Sequence, residues 1–252
     1  MEATILEARG LSKRFGHITA VDDISLEIGR GEILAIVGDN GAGKTTLVKM
    51  IAGAVRPDSG EVFVEGGAVR MRSPLDARRA GVEMLYQDLA LLPNLDVTTN
   101  LFLGRERVLS GPLGLLGFID RRRMRRETKN HLADLRINIP RLWGTPVASL
   151  SGGQRQSVAI AKAMVWASKL VIMDEPTAAL GVAQSRAVLE LVKRVRGRGT
   201  SVVIISHILP HVLDIADRVV VLRHGKKVAE AAARDLSQDR LIQLIVGAGA
   251  AA

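Results

Sequence analysis

A glycine-rich segment at residues 38–45 carries the clearest chemical signal in the chain. Its sequence, GDNGAGKT, fits G-x-x-x-x-G-K-[ST] and stands between the apolar run ILAIV at 33–37 and a helical pattern at 44–53. Glycines let backbone N–H groups turn towards phosphate oxygens, and a helix N-terminus adds partial positive charge. Lys44 can reach β- and γ-phosphates, and the Thr45 hydroxyl can bind Mg²⁺. The segment therefore predicts a nucleotide site made by Gly38, Asp39, Asn40, Gly41, Ala42, Gly43, Lys44, Thr45 and Thr46.

Two acidic residues end a second apolar run, LVIMDE at 170–175. A carboxylate at the carboxyl end of a strand, beside a phosphate loop, is typical of a magnesium ligand, which predicts that role for Asp174. Glu175 can then accept a hydrogen bond from an attacking water. The alternative is a solvated strand end, and the phosphate loop argues against it.

The pentapeptide LSGGQ at 150–154 opens a helical pattern. Ser151, Gly152 and Gly153 would present a hydroxyl and uncovered N–H groups at a helix N-terminus, which predicts a second anion site. Ser151 can equally be an ordinary helix N-cap, and the two interpretations are compatible.

The elements that must position these residues alternate between strands and helices. Apolar or alternating runs typical of strands lie at 3–9, 18–28, 33–37, 61–64, 82–85, 170–173, 202–205 and 219–222. Helical patterns separate most of them, so we expect a parallel sheet covered on both faces. Residues 89–150 interrupt the alternation and contain a basic helical stretch at 119–130, which predicts a helical insertion.

Composition excludes several other classes. The 252 residues are 47% hydrophobic and 24% charged, as in folded proteins, and contain no cysteine for thiolate metal sites or disulfides. The five histidines lack metal-ligand spacing, and no apolar run approaches the ~20 residues that span a bilayer. The net charge of +9 suits a phosphorylated ligand, nucleic acid or anionic lipid, but 3% aromatic residues argue against base stacking.

The order of GDNGAGKT, Gln87, LSGGQ, LVIMDE and His207 resembles the nucleotide-binding subunits of ATP-binding cassette transporters. The resemblance covers nearly the whole chain. It implies one domain over 1–252, of the α/β class, with a P-loop NTPase core and a mostly parallel sheet. It also implies an N-terminal antiparallel β subdomain and a helical subdomain over about 89–166.

The same resemblance assigns roles to the motif residues, with ATP and Mg²⁺ as cofactors. Gln87 would bind Mg²⁺ and take part in catalysis, His207 would contact the γ-phosphate, and Phe15 would stack on adenine. Two such subunits would pair head to tail. Each ATP would then lie between the phosphate loop of one copy and Ser151, Gly152, Gly153 and Gln154 of the other.

Longer stretches, such as GDNGAGKTTL and DEPTAALGV, are similar to the ATPases of bacterial monosaccharide importers. This implies a homodimer at the cytoplasmic face of the membrane, with transmembrane permease subunits docked near 87–105 and a sugar-binding protein engaged only indirectly. No nucleic-acid partner is expected. An exporter ATPase and a cassette protein acting on ribosomes or DNA remain alternatives. One departure is Gly181, which stands where the family usually has Asp.

The basic run around residues 121–129 leaves two further interpretations open. It is the best remaining clue to nucleic acid, but such runs are more often a solvated helix face. Beside a membrane permease it could also meet anionic headgroups. Of these interpretations, we favour the solvated face.

Overall fold

The computed structural model describes residues 3–86, 88–178 and 180–247. Its ten strands in those residues are β1 Thr4–Phe15, β2 Ile18–Gly29, β3 Ile33–Val37, β4 Ser59–Val64, β5 Gly67–Val69, β6 Val82–Leu85, β7 Leu170–Asp174, β8 Ser201–Ile205, β9 Arg218–Arg223 and β10 Lys226–Ala232. They form two sheets. One is antiparallel and four-stranded, in the order β2-β1-β4-β5, and the other is six-stranded, in the order β10-β9-β3-β8-β7-β6.

Nine α-helices cover these sheets within the same residues. They are α1 Lys44–Ile51, α2 Pro74–Arg79, α3 Val97–Phe102, α4 Pro112–Leu115, α5 Arg121–Asp134, α6 Gly152–Trp166, α7 Val182–Arg196, α8 Leu209–Ile215 and α9 Gln238–Val246. In the described residues, no helix combines the length and the apolar character that crossing a bilayer requires.

The centre of the six-stranded sheet is parallel. β3 pairs in parallel with β8 and β9, and β7 pairs in parallel with β8 and β6, while β10 alone runs antiparallel along β9. All five residues of β3, β7 and β8 are buried, as expected for strands covered on both faces. Because parallel strands place their carboxyl ends at one edge, the segments after β3, β7 and β8 meet there.

Alternate residues of β3 enter different apolar cores on the two faces of this sheet. Leu34 and Ile36 pack with α1 and the antiparallel sheet. Ile33, Ala35 and Val37 pack with α6, α7 and the helical insertion. The antiparallel sheet thus closes one face and the helices close the other.

The helical insertion is attached to the second core through aromatic contacts. The rings of Phe102 and Trp166 meet edge to face at 5.6 Å, and the Trp166 indole N–H donates to the Leu101 carbonyl at 2.9 Å. These contacts hold α3 against α6, which carries the LSGGQ pentapeptide at its start.

The predicted fold class is confirmed, with a difference at the first strand. The prediction that this strand ends at residue 9 is wrong, because β1 continues to Phe15. Gly10, with φ of 59°, lies in an irregularity of the pairing with β2 between Ala8 and Leu11, so the strand passes through it. The basic helix predicted at 119–130 is α5, which starts two residues later and ends at Asp134.

Candidate functional site

The loop from β3 to α1 folds around the Lys44 side chain. The Lys44 ammonium donates to the carbonyls of Gly38 at 2.7 Å and Asp39 at 2.8 Å. The loop therefore holds its cation at the edge of the sheet, and its backbone leads directly into the N-terminus of α1.

Two positions in the loop, Gly38 and Gly43, require glycine because the backbone of neighbouring strands passes close to them. A Cβ on Gly38 would lie 2.1 Å from the Leu222 carbonyl oxygen, and one on Gly43 would lie 2.3 Å from the Ala20 carbonyl oxygen. Both also adopt positive φ, 148° and 98°. The loop can pass this close to β2 and β9 only because these residues lack side chains.

Asp174, the last residue of β7, faces the start of α1. Its side-chain Oδ1 lies 3.5 Å from the Thr45 hydroxyl, at the outer limit of hydrogen bonding, and the residue is 3% exposed. Burial raises the pKa of Asp174, and the hydrogen bond from Thr45 opposes that rise. Burial lowers the pKa of Lys44, opposed by the carboxylates of Glu175, Asp174 and Asp39.

Glu175 and His207 meet across the ends of β7 and β8. The His207 Nδ1 lies 2.7 Å from the Glu175 Oε2, with the glutamate side chain mostly buried and the histidine mostly exposed. Glu175 has a left-handed backbone, with φ of 54°, and its N–H donates to the Ile205 carbonyl at 3.0 Å. Such a conformation is uncommon for a residue with a side chain and is often found at functional sites. It turns the carboxylate out of the strand direction and towards His207.

One cavity of about 650 Å³ unites these groups. Its walls include Asn40 to Thr46 from the loop and α1, the acidic pair Asp174 and Glu175, and His207. This volume lies in the range of small-molecule sites. The cavity therefore brings together most of the predicted phosphate-loop residues, the acidic pair and His207, whereas Gly38 and Asp39 are not among its lining residues.

The antiparallel sheet supplies a wall that sequence reasoning missed. Ile18 and Ala20 of β2 line the cavity, whereas Phe15 is not among its lining residues. Phe15 lies opposite Ile18 in the β1–β2 pairing, is 51% exposed and has the Lys13 ammonium 5.5 Å from its ring centroid. The stacking role of Phe15 stays a prediction, and its cross-strand pairing is the signal that could have pointed to Ile18.

The LSGGQ residues lie elsewhere in the same chain. Ser151, Gly153 and Gln154 line a separate cavity of about 280 Å³, together with Arg136, Asn138 and Gln184. Ser151 is the N-cap of α6 in a capping box, so its structural interpretation is confirmed. Within one chain, the two predicted anion sites do not merge.

Gln87 and Gly181 are two further positions that the sequence singles out. Gln87 falls outside the described residues, so its role stays a prediction. Gly181 is the N-cap of α7 and gives that helix no side-chain cap.

The donor set at the loop fits magnesium. Thr45 and Asp174 offer a hydroxyl and a carboxylate, the hard oxygen ligands that Mg²⁺ takes alongside phosphates and water. In the described residues, no three His, Asp or Glu side chains gather into a cluster able to hold a metal. A cation here would thus depend on phosphate oxygens for much of its coordination.

Comparison with known proteins agrees with this geometry. The family model described as ABC transporter matches residues 21–178. The chain belongs to the ABC transporter family, and it is an ATP-binding ATPase.

The relatives extend the match over nearly the whole chain. A fructose import ATP-binding protein of Rhizobium meliloti is 46% identical over 97% of this chain and 94% of its own. A xylose/arabinose import ATP-binding protein of Sulfolobus acidocaldarius is 45% identical over 88% of this chain and 86% of its own. A ribose import ATP-binding protein of Rubrobacter xylanophilus is 41% identical, and this chain spans 47% of its length.

Solved structures match the fold at lower identity. An ATP-binding cassette of an ABC transporter in its ADP conformation has a TM-score of 0.82 and 27% identity, covering 97% of this chain and 99% of its own. A nucleotide-free cassette has a TM-score of 0.81 and 27% identity, covering 97% of this chain and 95% of its own.

The close approach of β2 to the loop leads to a matched pair of substitutions. We expect Gly43→Ala to weaken ATP binding more than Gly41→Ala does, by roughly five- to 150-fold in Kd, because overpacking costs about 1–3 kcal/mol. Both glycines have positive φ, but a Cβ on Gly41 would meet nothing within 4 Å. Fluorescence titration with ATP measures the two affinities, and thermal unfolding checks that both variants fold. Equal affinities would contradict the role assigned to the Ala20 contact.

Proposed function

We propose that this chain is the ATP-hydrolysing subunit that energises import of a monosaccharide or related sugar. The observation that carries the chemistry is the meeting of Lys44, Asp174 and the Glu175–His207 pair in one cavity. The substrate class follows from the names of relatives that match nearly the full chain at 45–46% identity.

The proposed reaction is phosphoryl transfer from ATP to water, which depends chiefly on positioning and electrostatic stabilisation. Lys44 and the loop N–H groups hold the β- and γ-phosphates. Thr45 and Asp174, with Gln87, would hold Mg²⁺, which when bound neutralises charge on the phosphate oxygens. Glu175 orients the attacking water, and His207 contacts the γ-phosphate from the end of β8.

We propose that the working unit is a head-to-tail homodimer. Ser151 and Gly153 line a cavity apart from the phosphate loop of their own chain, so a single copy leaves the nucleotide uncovered on that side. In a second copy the same residues could complete the site. Ser151 would offer its hydroxyl to the γ-phosphate and Gly153 its backbone N–H.

The proposed permease contact is a groove beside the helical insertion. Tyr86, Leu103, Arg105, Lys162 and Trp166 are among the residues that line this groove, whose volume is about 340 Å³. It overlaps the region 87–105 expected to dock transmembrane subunits. The chain would thus lie at the cytoplasmic face of the membrane, and a sugar-binding protein outside would act through the permease.

Reconstitution with candidate sugar permeases and their sugar-binding proteins tests the proposal. In proteoliposomes, we expect ATP hydrolysis and uptake of labelled sugar to rise together when the sugar-loaded binding protein is added. Lys44→Ala should remove both activities, since it deletes the ammonium at the phosphates. ATP hydrolysis that no tested sugar stimulates, or sugar movement outwards, would contradict the import assignment while leaving the ATPase chemistry intact.

A further inference from the structure

The helical insertion carries a projecting hairpin with large apolar side chains at its end. Its base is closed by hydrogen bonds from the Leu109 N–H to the Phe118 carbonyl at 2.9 Å and from the Asp120 N–H to the Arg107 carbonyl at 2.6 Å. We define the apolar tip as Leu113, Leu115, Leu116 and Phe118. The short helix α4 lies in this tip and contributes no buried residue.

The apolar tip is exposed to an unusual degree. Leu115 is 92% exposed and Leu116 73%, and Leu113 and Phe118 are each more than half exposed. Single exposed apolar residues are ordinary on protein surfaces, but four large ones within the six residues 113–118 suggest an interaction site. The described part of the chain does not cover this group.

A helix rich in arginine starts where the hairpin ends. Asp120 caps α5 by accepting from the Arg123 N–H at 2.9 Å, and three arginines fill the first turn. Cations in the first turn oppose the helix dipole, so helix stability does not account for them. We define the cationic stripe as Arg122, Arg126 and Lys129, which share one exposed side of α5, away from the buried Met124 and Thr128.

The charges of the cationic stripe are not neutralised within the described residues. Glu127 pairs with Arg107 and Arg123, and the Arg125 guanidinium lies 5.4 Å from the Trp143 ring centroid. Arg122, Arg126 and Lys129 are exposed and make no ion pair with any described residue. Like charges three and four residues apart repel each other on a helix, so an external anion would stabilise this face.

The sequence around the hairpin concentrates the positive charge of the protein. From residue 105 to residue 130 there are eight Arg or Lys residues against three Asp or Glu residues, in a chain whose net charge is +9. More than half of that net charge therefore lies in and next to this one hairpin.

The hairpin also lies next to the groove that we assign to the permease. Arg105, just before the hairpin, lines that groove. The Arg107 guanidinium at the hairpin base lies 5.4 Å from the ring centroid of Trp166, which also lines it. A permease seated in the groove would bring a bilayer to the same side of the chain.

We propose that the apolar tip and the cationic stripe bind the surface of an anionic lipid bilayer. The tip enters the boundary between headgroups and acyl chains, and the stripe pairs with lipid phosphates. A lipid surface satisfies both features, whereas RNA would engage the arginines and leave the aliphatic tip in water. No residue of the nucleotide cavity takes part, so this proposal and the proposed function fail separately.

Co-sedimentation of the full chain with vesicles tests the proposal. We expect binding to an equal mixture of phosphatidylcholine and phosphatidylglycerol, little binding to phosphatidylcholine alone, and weakening at high salt. Replacing Arg122 and Arg126 by Gln should weaken binding about fivefold per residue, equivalent to about 1 kcal/mol each. Leu115→Ser should weaken it about tenfold, the effect of withholding one leucine side chain from an apolar environment.

Matched controls distinguish binding through this surface from non-specific binding to vesicles. The pair Arg70→Gln and Arg234→Gln removes two exposed arginines elsewhere, and Val246→Ser removes an exposed apolar side chain from the C-terminal helix. We expect these controls to bind vesicles like the original chain, and all variants to keep its ATPase activity. Equal binding to neutral and anionic vesicles overturns the proposal. If the chain binds RNA but no vesicles, and Leu115→Ser leaves the RNA binding unchanged, the proposal is also overturned.

Discussion

Replacing Glu175 by Gln is expected to reduce ATP turnover by about 10²- to 10⁴-fold while ATP binding persists. The structure explains why this substitution should act on chemistry alone. In the proposed site, Lys44 and the loop N–H groups hold the phosphates, whereas Glu175 orients water and holds no phosphate. The amide keeps the size of the carboxylate but loses the negative charge that orients an attacking water. Turnover is measured by phosphate release and binding by nucleotide titration.

The setting of Glu175 supports a selective effect. Its left-handed backbone, with φ of 54°, is no harder for Gln than for Glu, so the fold should tolerate the change. The His207 Nδ1 lies 2.7 Å from the Glu175 Oε2, and a Gln side chain at this position also offers an oxygen acceptor and an N–H donor to the imidazole.

A glutamate on the outer face of α7 provides the control. Glu190 is half exposed and pairs with Lys193 at 3.2 Å, away from the cavity. Glu190→Gln should therefore hydrolyse ATP at the original rate. Near-normal turnover in Glu175→Gln would exclude Glu175 as the residue that activates water.

Mixing two inactive variants is expected to restore about one quarter of the original ATPase activity. Lys44→Ala removes the ammonium proposed to bind the phosphates, and Ser151→Arg places a long side chain at the start of α6, where the second copy is proposed to dock. Each variant alone should be almost inactive. Random pairing makes half of the dimers mixed, and in these one composite site keeps an intact loop and an intact LSGGQ surface.

The control for this experiment tests whether losing a helix cap is itself harmful. Ser237 caps α9 by accepting from the Arg240 N–H at 3.1 Å, as Ser151 caps α6. Ser237→Arg should remain active, because α9 lies far from the nucleotide cavity in sequence and contributes nothing to its lining. If mixed dimers form, detected by two affinity tags, and no activity returns, the shared-site model is wrong.

The sequence predicted the fully buried strands well and missed two short or exposed ones, β5 and β10. β3 has the predicted bounds, 33–37, and β7 and β8 are each one residue longer than the predicted 170–173 and 202–205, because a strand in the interior of a parallel sheet is a continuous apolar run. β10, Lys226–Ala232, was missed because it is an edge strand whose sequence, KKVAEAA, lacks a clear apolar side. Its pairing with β9 comes from the hairpin at Gly225, not from burial.

The residues of the candidate site also differ in how far the sequence predicts them. Lys44, Thr45, Asp174 and Glu175 were predictable because each stands in a local motif at the end of a buried strand. The place of Ile18 in the cavity depends on how the antiparallel sheet packs against the loop, which no local pattern records. The hydrogen bond between His207 and Glu175 likewise joins residues 32 positions apart.

The capping box at the start of α6 leaves Ser151 able to bind a phosphate without disturbing the helix. The Ser151 oxygen accepts from the Gln154 N–H at 3.3 Å, and the Gln154 side-chain oxygen accepts from the Ser151 N–H at 2.9 Å. This arrangement uses a lone pair of the serine hydroxyl and leaves its hydrogen uncommitted to the cap. A phosphate oxygen approaching from a second copy could therefore accept a hydrogen bond from that hydroxyl while the helix start remains intact.

The turn is ordered before the phosphate arrives, so the conformational entropy of about 1–2 kcal/mol per residue has already been lost in the free chain. The free energy of that contact is then available to hold two copies together.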